Sequence, residues 1–325
     1  VTSNRDTPFF SDLSRFRALA HDTAANNTSS RTNKPMKSLS HFLEYCGLRA
    51  AEFLVCAVPR RCALAAGAAA GTLLFYAGVY RKVVERNFDH VGMLDGEERR
   101  KTLRALYANI GRYGSDFLRA GRDSPPYAVN NLDEVDRALA RGKGMIAVLA
   151  HFGNWELLAA IFGSHFSDLN VLARPMHNPL VEKWLLAKRK RAKVTPIYAS
   201  GALRRMLTVL NRNGIIAMLI DQYAADQGTP VLFLGKPANT VRTVAGLFQK
   251  TDCGIVLPFA LLKPDGSYNI VIEAAPAIDV SRDSKDEFIA AVQTSHNAVL
   301  SRWIRQYPEH YFGWFHRRFK DSISY

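Results

Sequence analysis

Met145-Ile-Ala-Val-Leu-Ala150, followed at once by His151-Phe-Gly-Asn-Trp-Glu156, is the stretch whose reading decides the fold. The apolar run reads as a buried strand, and the residues after it as the start of a helix. An imidazole therefore stands at the mouth of the strand, with a carboxylate five residues further on. In a continuous helix five residues turn through about 140°, so the two side chains would diverge. A strand that breaks at His151 and enters a helix near Asn154 folds Glu156 back toward the ring instead. Histidine beside a carboxylate suits general-base catalysis: it titrates near neutrality, and its partner fixes the tautomer and steadies the imidazolium.

Outward from this stretch, residues 140 to 275 alternate short apolar runs with helical patterns, which predicts an α/β domain on a largely parallel sheet flanked by helices. Leu169-Asn-Val-Leu-Ala173 ends at Arg174 and is followed by Pro175 and Asn178-Pro179. A helical stretch from Ala202 to Asn213 stops at Gly214. The run Ile215-Ile-Ala-Met-Leu-Ile220 then delivers Asp221-Gln222. Parallel strands share one carboxyl edge, and ligands bind outside it, so His151, Arg174 and Asp221 are expected to converge on one cleft. An ion pair between Arg174 and Asp221 that caps the sheet is the competing reading.

Further on, Asn239 or Thr240 is expected to cap a helix running to about Thr251, making an anion site with Lys236 and Arg242 close by. Ile255 to Lys263, the turn Pro264-Asp-Gly266 and Tyr268 to Ala274 read as a hairpin extending the sheet. A helix from about Lys285 to Ile304 follows, and then the aromatic, basic stretch Tyr311-Phe-Gly-Trp-Phe-His-Arg-Arg-Phe-Lys320.

Four segments together resemble the late (secondary) lipid A biosynthesis acyltransferase family of Gram-negative bacteria. They are His151-Phe-Gly-Asn-Trp-Glu156, Ala173-Arg-Pro with Asn178, Asp221-Gln222 through Phe233-x-Gly-x-Pro-Ala-x-Thr240, and Pro308-x-x-Tyr-x-x-Trp-x-His-Arg-Arg-Phe-Lys320. Arg86-Asn87-Phe88 resembles the section that follows the family's membrane anchor, and the likeness spans about residues 43 to 320. The resemblance implies a glycerolipid-acyltransferase-like fold. It also implies transfer of a fatty acyl chain, usually from acyl carrier protein, to a glycolipid hydroxyl at the cytoplasmic face of the inner membrane. The family signature H-x4-D/E is present in its Glu form and favours Glu156 as the partner of His151, whereas strand geometry favours Asp221. Relatives acylate other membrane lipids, so the acceptor stays open, as does acyl carrier protein against acyl-CoA as donor. No other cofactor is implied. Arg174 is expected to bind an anionic part of a substrate or the developing oxyanion, with Asn178 and Gln222 as further candidates. A thioester is already activated, and no G-x-S-x-G elbow is present, so direct transfer without an acyl-enzyme is expected.

The 325 residues carry 43 Lys and Arg against 29 Asp and Glu, a net charge of +14. That excess attracts polyanions. The densest cluster, Lys188-Arg-Lys-Arg191 with Lys193, lacks interleaved aromatics, and no nucleic-acid fold signature accompanies it. Anionic membrane lipid or an acidic carrier protein is the expected partner, not nucleic acid. Cys46, Cys56, Cys62 and Cys253 show no metal or disulfide spacing, and His310 and His316 are read as structural or surface residues, so no metal is expected.

Residues 1–40 are polar, rich in Thr, Ser and Asn, and expected to be a disordered arm without a signal peptide. Residues 41–125 are expected to form a helical, membrane-associating region, and 126–325 the catalytic domain. Cys62 to Tyr80 carry no charge over 19 positions, between Arg60-Arg61 and Arg81-Lys82, but ten of the 19 are Ala or Gly. That composition favours a helix lying in or dipping into a membrane, together with Phe42 to Val58, over a full span. The competing reading is a helix buried against the catalytic domain through its small residues.

Overall fold

The computed structural model describes residues 34–166, 169–225, 228–278 and 284–325. The polar arm expected over residues 1–40 lies almost wholly outside them. Arg49–Tyr325 form one compact unit, and the described residues before Arg49 fall outside it. The helices of the N-terminal part are α1 (Lys34–Ala57), α2 (Arg60–Tyr76), α3 (Arg81–Val91) and α4 (Gly96–Arg119). After them come β1 (Tyr127–Asn130), α5 (Asp133–Ala140), β2 (Met145–Leu149), α6 (Trp155–Phe166), β3 (Leu169–Ala173), α7 (Pro179–Arg191), β4 (Val194–Tyr198), α8 (Ala202–Asn211) and β5 (Ile215–Leu219). A hairpin of β6 (Gly228–Phe233) and β7 (Lys236–Val241) leads to α9 (Thr243–Thr251), β8 (Gly254–Leu262), β9 (Tyr268–Ala274) and α10 (Lys285–Gln306).

Seven strands form one sheet in the order β1-β9-β8-β2-β5-β3-β4. Neighbours from β8 to β4 run parallel, whereas β9 is antiparallel to β8 and carries β1 parallel to itself. The expected α/β architecture and the β8–β9 hairpin are thus present. β2 lies in the middle and is buried at all five positions, which explains why it reads as a continuous apolar run. Its side chains alternate between two cores. Ile146 and Val148 pack with Ile216, Met218, Leu257 and Phe259 on the face covered by α8, α9 and α10. Met145, Ala147 and Leu149 pack with Val135, Leu158 and Ile161 on the face covered by α5 and α6.

The uncharged stretch 62–80 is not one helix. α2 stops at Tyr76, and Gly78 and Tyr80 take left-handed φ values of 72° and 56° before α3 begins. Among the described residues no single helix is long and apolar enough to cross a membrane; only α2 and α3 together reach that length and composition, bent by 81° at the break. One face of α2 is packed and the other open. Ala63, Leu64, Gly71 and Phe75 are buried, whereas Leu73, Leu74 and Tyr76 are exposed. The packed face meets α4 backbone to backbone: a Cβ on Gly71 would stand 2.0 Å from the Tyr107 carbonyl oxygen, and one on Gly111 1.8 Å from that of Gly67. Small residues therefore set a helix crossing with α4, which lies outside residues 126–325, while the opposite face of α2 keeps its apolar side chains outward.

Candidate active site

β2 and β5 pair in register, Leu149 opposite Leu219, and the Ile220 amide donates to the Leu149 carbonyl at 3.0 Å. His151 and Asp221 each lie two residues beyond that pair. Equal extension from a shared register brings them side by side at the carboxyl edge. The Asp221 carboxylate accepts two hydrogen bonds from His151, one from its backbone amide (2.9 Å) and one from ring Nδ1 (2.8 Å). Asp221 is fully buried and the His151 side chain 12% exposed.

Burial by itself raises the Asp221 pKa, but the imidazole charge and the two bonds from His151 bring it down to about 2. Burial likewise depresses His151, and the Asp221 charge and hydrogen bond outweigh it, with a smaller contribution from Glu156. The imidazolium is therefore favoured relative to a free histidine.

Gly153 makes the turn after His151, at φ 59°, where a Cβ would stand 1.9 Å from the Ala260 carbonyl oxygen. Asn154 caps α6 by accepting from the Leu157 amide (3.0 Å). Glu156 sits in the first turn of α6, where it meets Arg189 of α7 at 2.6 Å and makes no hydrogen bond to His151. The structure thus joins His151 to Asp221 and directs Glu156 to a different cation.

Arg174 follows β3 on the same edge. It is exposed and pairs with no residue among those described, Asp221 included. Asn178 is buried, and its side chain accepts from the Leu180 amide (3.0 Å), capping α7 ahead of Pro179. The Gln222 side chain is exposed, while its carbonyl accepts from Arg318 (3.0 Å).

The anion site expected near residue 240 is not built. Asn239 and Thr240 belong to β7, not to a loop, because Leu234-Gly235 closes a tight hairpin at φ 52° and 81°. Arg242 occupies the position before α9 without a side-chain cap and pairs with Asp286. Asn239 donates to Asp321, and Thr240 takes bonds from Asn297 and Arg318. Lys236 is half-buried on β7, close enough to His90 to add to the pKa depression that burial causes there. Neither Lys236 nor Arg242 is joined to His151, Arg174 or Asp221.

The sequence marks the aromatic, basic chain after α10 but assigns it no place at the site. That chain returns across the site: the Gly153 amide donates to the His310 carbonyl (2.8 Å) and the Phe312 amide to that of His151 (2.7 Å). Phe152 and Tyr311 form an isolated bridge. The rings of His316, Trp155 and Phe312 surround His151 at centroid distances of 4.8, 5.1 and 6.2 Å. His316 is therefore not a surface residue, and burial beside His151 pushes its pKa down. Arg318, 1% exposed, donates to the Gln222 carbonyl, the Asn239 carbonyl and Thr240 Oγ1 (2.6 Å), tying the end of β5 to β7. The density of aromatic and basic residues in 311–320 was the available signal, but nothing in the sequence says where that segment lies.

Burial holds two neutral histidines, His310 and His296 on α10, down to a pKa of about 4. An unfolded chain takes up protons at these positions below about pH 6.5, and the folded chain only as the pH approaches 4. Their effect on stability is nil above that pH, grows as the pH falls, and reaches roughly 3 kcal/mol of destabilisation each near pH 4. A series of melting temperatures from pH 8 to 4.5 is expected to decline steeply below 6.5. His296→Phe, which has nothing to protonate, should flatten the decline; an unchanged slope would remove His296 from the account.

Residues 31–321 match the family model described as bacterial lipid A biosynthesis acyltransferase. No curated protein matches the chain. With nearly its whole length covered by that match, this chain belongs to the bacterial lipid A biosynthesis acyltransferase family.

Proposed function

We propose that the chain transfers a fatty acyl group from a thioester, carried on acyl carrier protein or coenzyme A, directly to a hydroxyl of a membrane glycolipid, a lipid A precursor first among them. Family membership supports acyl transfer, and the hydrogen bond from His151 Nδ1 to buried Asp221 carries the mechanism. With Nδ1 donating to the carboxylate, Nε2 is the free basic nitrogen. It removes the hydroxyl proton as the oxygen attacks the thioester carbonyl, and the carbonyl electrons move onto oxygen. On collapse the C–S bond breaks, the thiolate leaves with the electron pair, and the imidazolium returns the proton to sulfur. Asp221 stabilises that imidazolium throughout. Arg174, exposed on the same edge and unpaired among the described residues, binds a phosphate or other anionic part of the substrate.

The site would work at the cytoplasmic face of the inner membrane. The exposed apolar side chains of Phe53, Leu54, Leu73, Leu74 and Tyr76, with exposed Arg61 and Lys82 near them in sequence, support contact with an anionic lipid surface. Exposed Lys190, Arg191 and Lys193 support an acidic carrier protein as partner.

The test is an acyl-transfer assay on detergent-purified protein, wild type beside His151→Ala. Labelled acyl carrier protein is offered with a lipid A precursor, with a lysophospholipid, and with no acceptor. Acylated glycolipid from the wild type alone is the expected result. Free fatty acid without any acceptor would make the protein a thioesterase, and equal activity in His151→Ala would sink the mechanism.

A further inference from the structure

A chain of buried polar contacts runs from the start of α2 to the turn that carries His151, and the mechanism above makes no use of it. Arg60, the first residue of α2, grips Asp116 of α4 with Nε and Nη2, each at 2.7 Å, and its Nη1 donates to the Gly266 carbonyl at 2.7 Å. The Tyr268 hydroxyl of β9 donates to Asp116 Oδ2 at 2.7 Å and accepts from Asn154 Nδ2 at 3.0 Å. Asn154 Oδ1 in turn accepts from the Leu157 amide. Asp116, Tyr268 and Asn154 are all buried.

The order of donors in this chain is forced. A carboxylate bound by a guanidinium fork only accepts. The single proton of Tyr268 must therefore go to Asp116. Burial and the nearby carboxylate raise the pKa of the hydroxyl, so the proton stays on it. Its remaining capacity is to accept, which selects the NH2 side of the Asn154 amide. That choice turns Oδ1 toward the Leu157 amide and completes the cap of α6. A buried ion pair stabilises less than apolar packing of the same volume, so stability gives little reason for one here, whereas a fixed geometry does. The far end of the chain holds the amide three residues after His151, in a turn whose neighbouring residues meet Asp221, His310 and Ala260.

We propose that Tyr268 is a positioning residue for acyl transfer: through the Asn154 amide it fixes the His151–Asn154 turn, and the Arg60–Asp116 pair sets its polarity from the start of α2. The proposal rests on the acyl-transfer reading for its kinetic consequence only. The structural consequence, a His151 ring correctly set against Asp221, is measurable without substrate.

Tyr268→Phe removes one hydroxyl and leaves the Arg60–Asp116 pair in place. In the acyl-transfer assay it is expected to lower kcat about tenfold with KM for the acyl donor within twofold. In NMR titration of histidine-labelled protein the His151 pKa is expected to move down, toward that of a free imidazole, as its bond to Asp221 loosens. A role in stability alone would lower the melting temperature and move neither quantity. Arg60→Lys keeps the charge but loses the fork, and should show both changes at smaller size; it also decides the matter if the first variant does not fold. Wild-type kcat and wild-type His151 titration in these variants would overturn the proposal, as would a raised KM with kcat unchanged. If the wild type transfers no acyl group at all, the proposed function falls while the titration still decides the positioning role.

Discussion

Replacing Asp221 with Asn is expected to lower kcat for acyl transfer by a factor of roughly 10²–10⁴, the range attributable to a general base. Both carboxylate oxygens of Asp221 accept from His151, one from the backbone amide and one from Nδ1. An asparagine offers one oxygen and one NH2 group. If the NH2 faces the backbone amide, two donors collide. If it faces the ring, Nδ1 must accept, the proton shifts to Nε2, and the nitrogen that should take the hydroxyl proton is blocked. The lost charge also withdraws the support that raises the His151 pKa. Glu156→Gln is a different case, because a glutamine still accepts from Arg189, and its expected loss is within about tenfold, as befits a partly exposed pair. Steady-state rates at saturating donor separate the two. If Glu156→Gln costs more than Asp221→Asn, the ring-orienting role passes to Glu156, as the family signature would have it.

The second large effect is expected from Arg318→Met, a loss of about 3–5 kcal/mol of folding stability, because buried acceptors are left unpaired at roughly 1–3 kcal/mol each. Methionine fills part of the volume over the Phe233 ring, where the guanidinium carbon lies 5.2 Å from the ring centre. It cannot donate to Gln222, Asn239 or Thr240. The guanidinium that is lost is one whose pKa burial depresses, with Tyr311 and Asp221 nearby helping to keep it charged. Urea denaturation gives the number; a change below about 1 kcal/mol would mean that the segment closes over the site without this residue.

The parts of this site visible in the sequence are those set by local pattern. Strands that read as apolar runs end at His151 and Asp221, and a shared register then needs only equal overhang to bring the two together. Helix caps were only partly legible. Asn178, read from the sequence as a substrate-binding candidate, caps α7 ahead of Pro179, whereas Asn239 and Thr240 sit in a strand because Leu234-Gly235 turns the chain into β7 and the cap position before α9 falls at Arg242. The direction of Glu156 was not legible, since it depends on Arg189 of a helix that follows the next strand. Nor was the placement of Tyr311–Arg318, whose contacts with His151 and Gln222 cross 96 residues or more. Such contacts follow from the packing of α10 against the sheet, and no spacing rule encodes them.

The crossing of α2 and α4 is built from main-chain contacts at Gly67, Gly71 and Gly111. Long side chains between two helices act as a compliant gasket, able to change rotamer and let one helix roll on the other. At these glycines no such layer exists, so the crossing point itself has nothing soft to deform; further along, Phe75 meets the Tyr107 ring at 5.7 Å. A push on the exposed face of α2 would therefore bear on α4 main chain to main chain at this point, about one turn before Asp116 and the buried contacts that it makes.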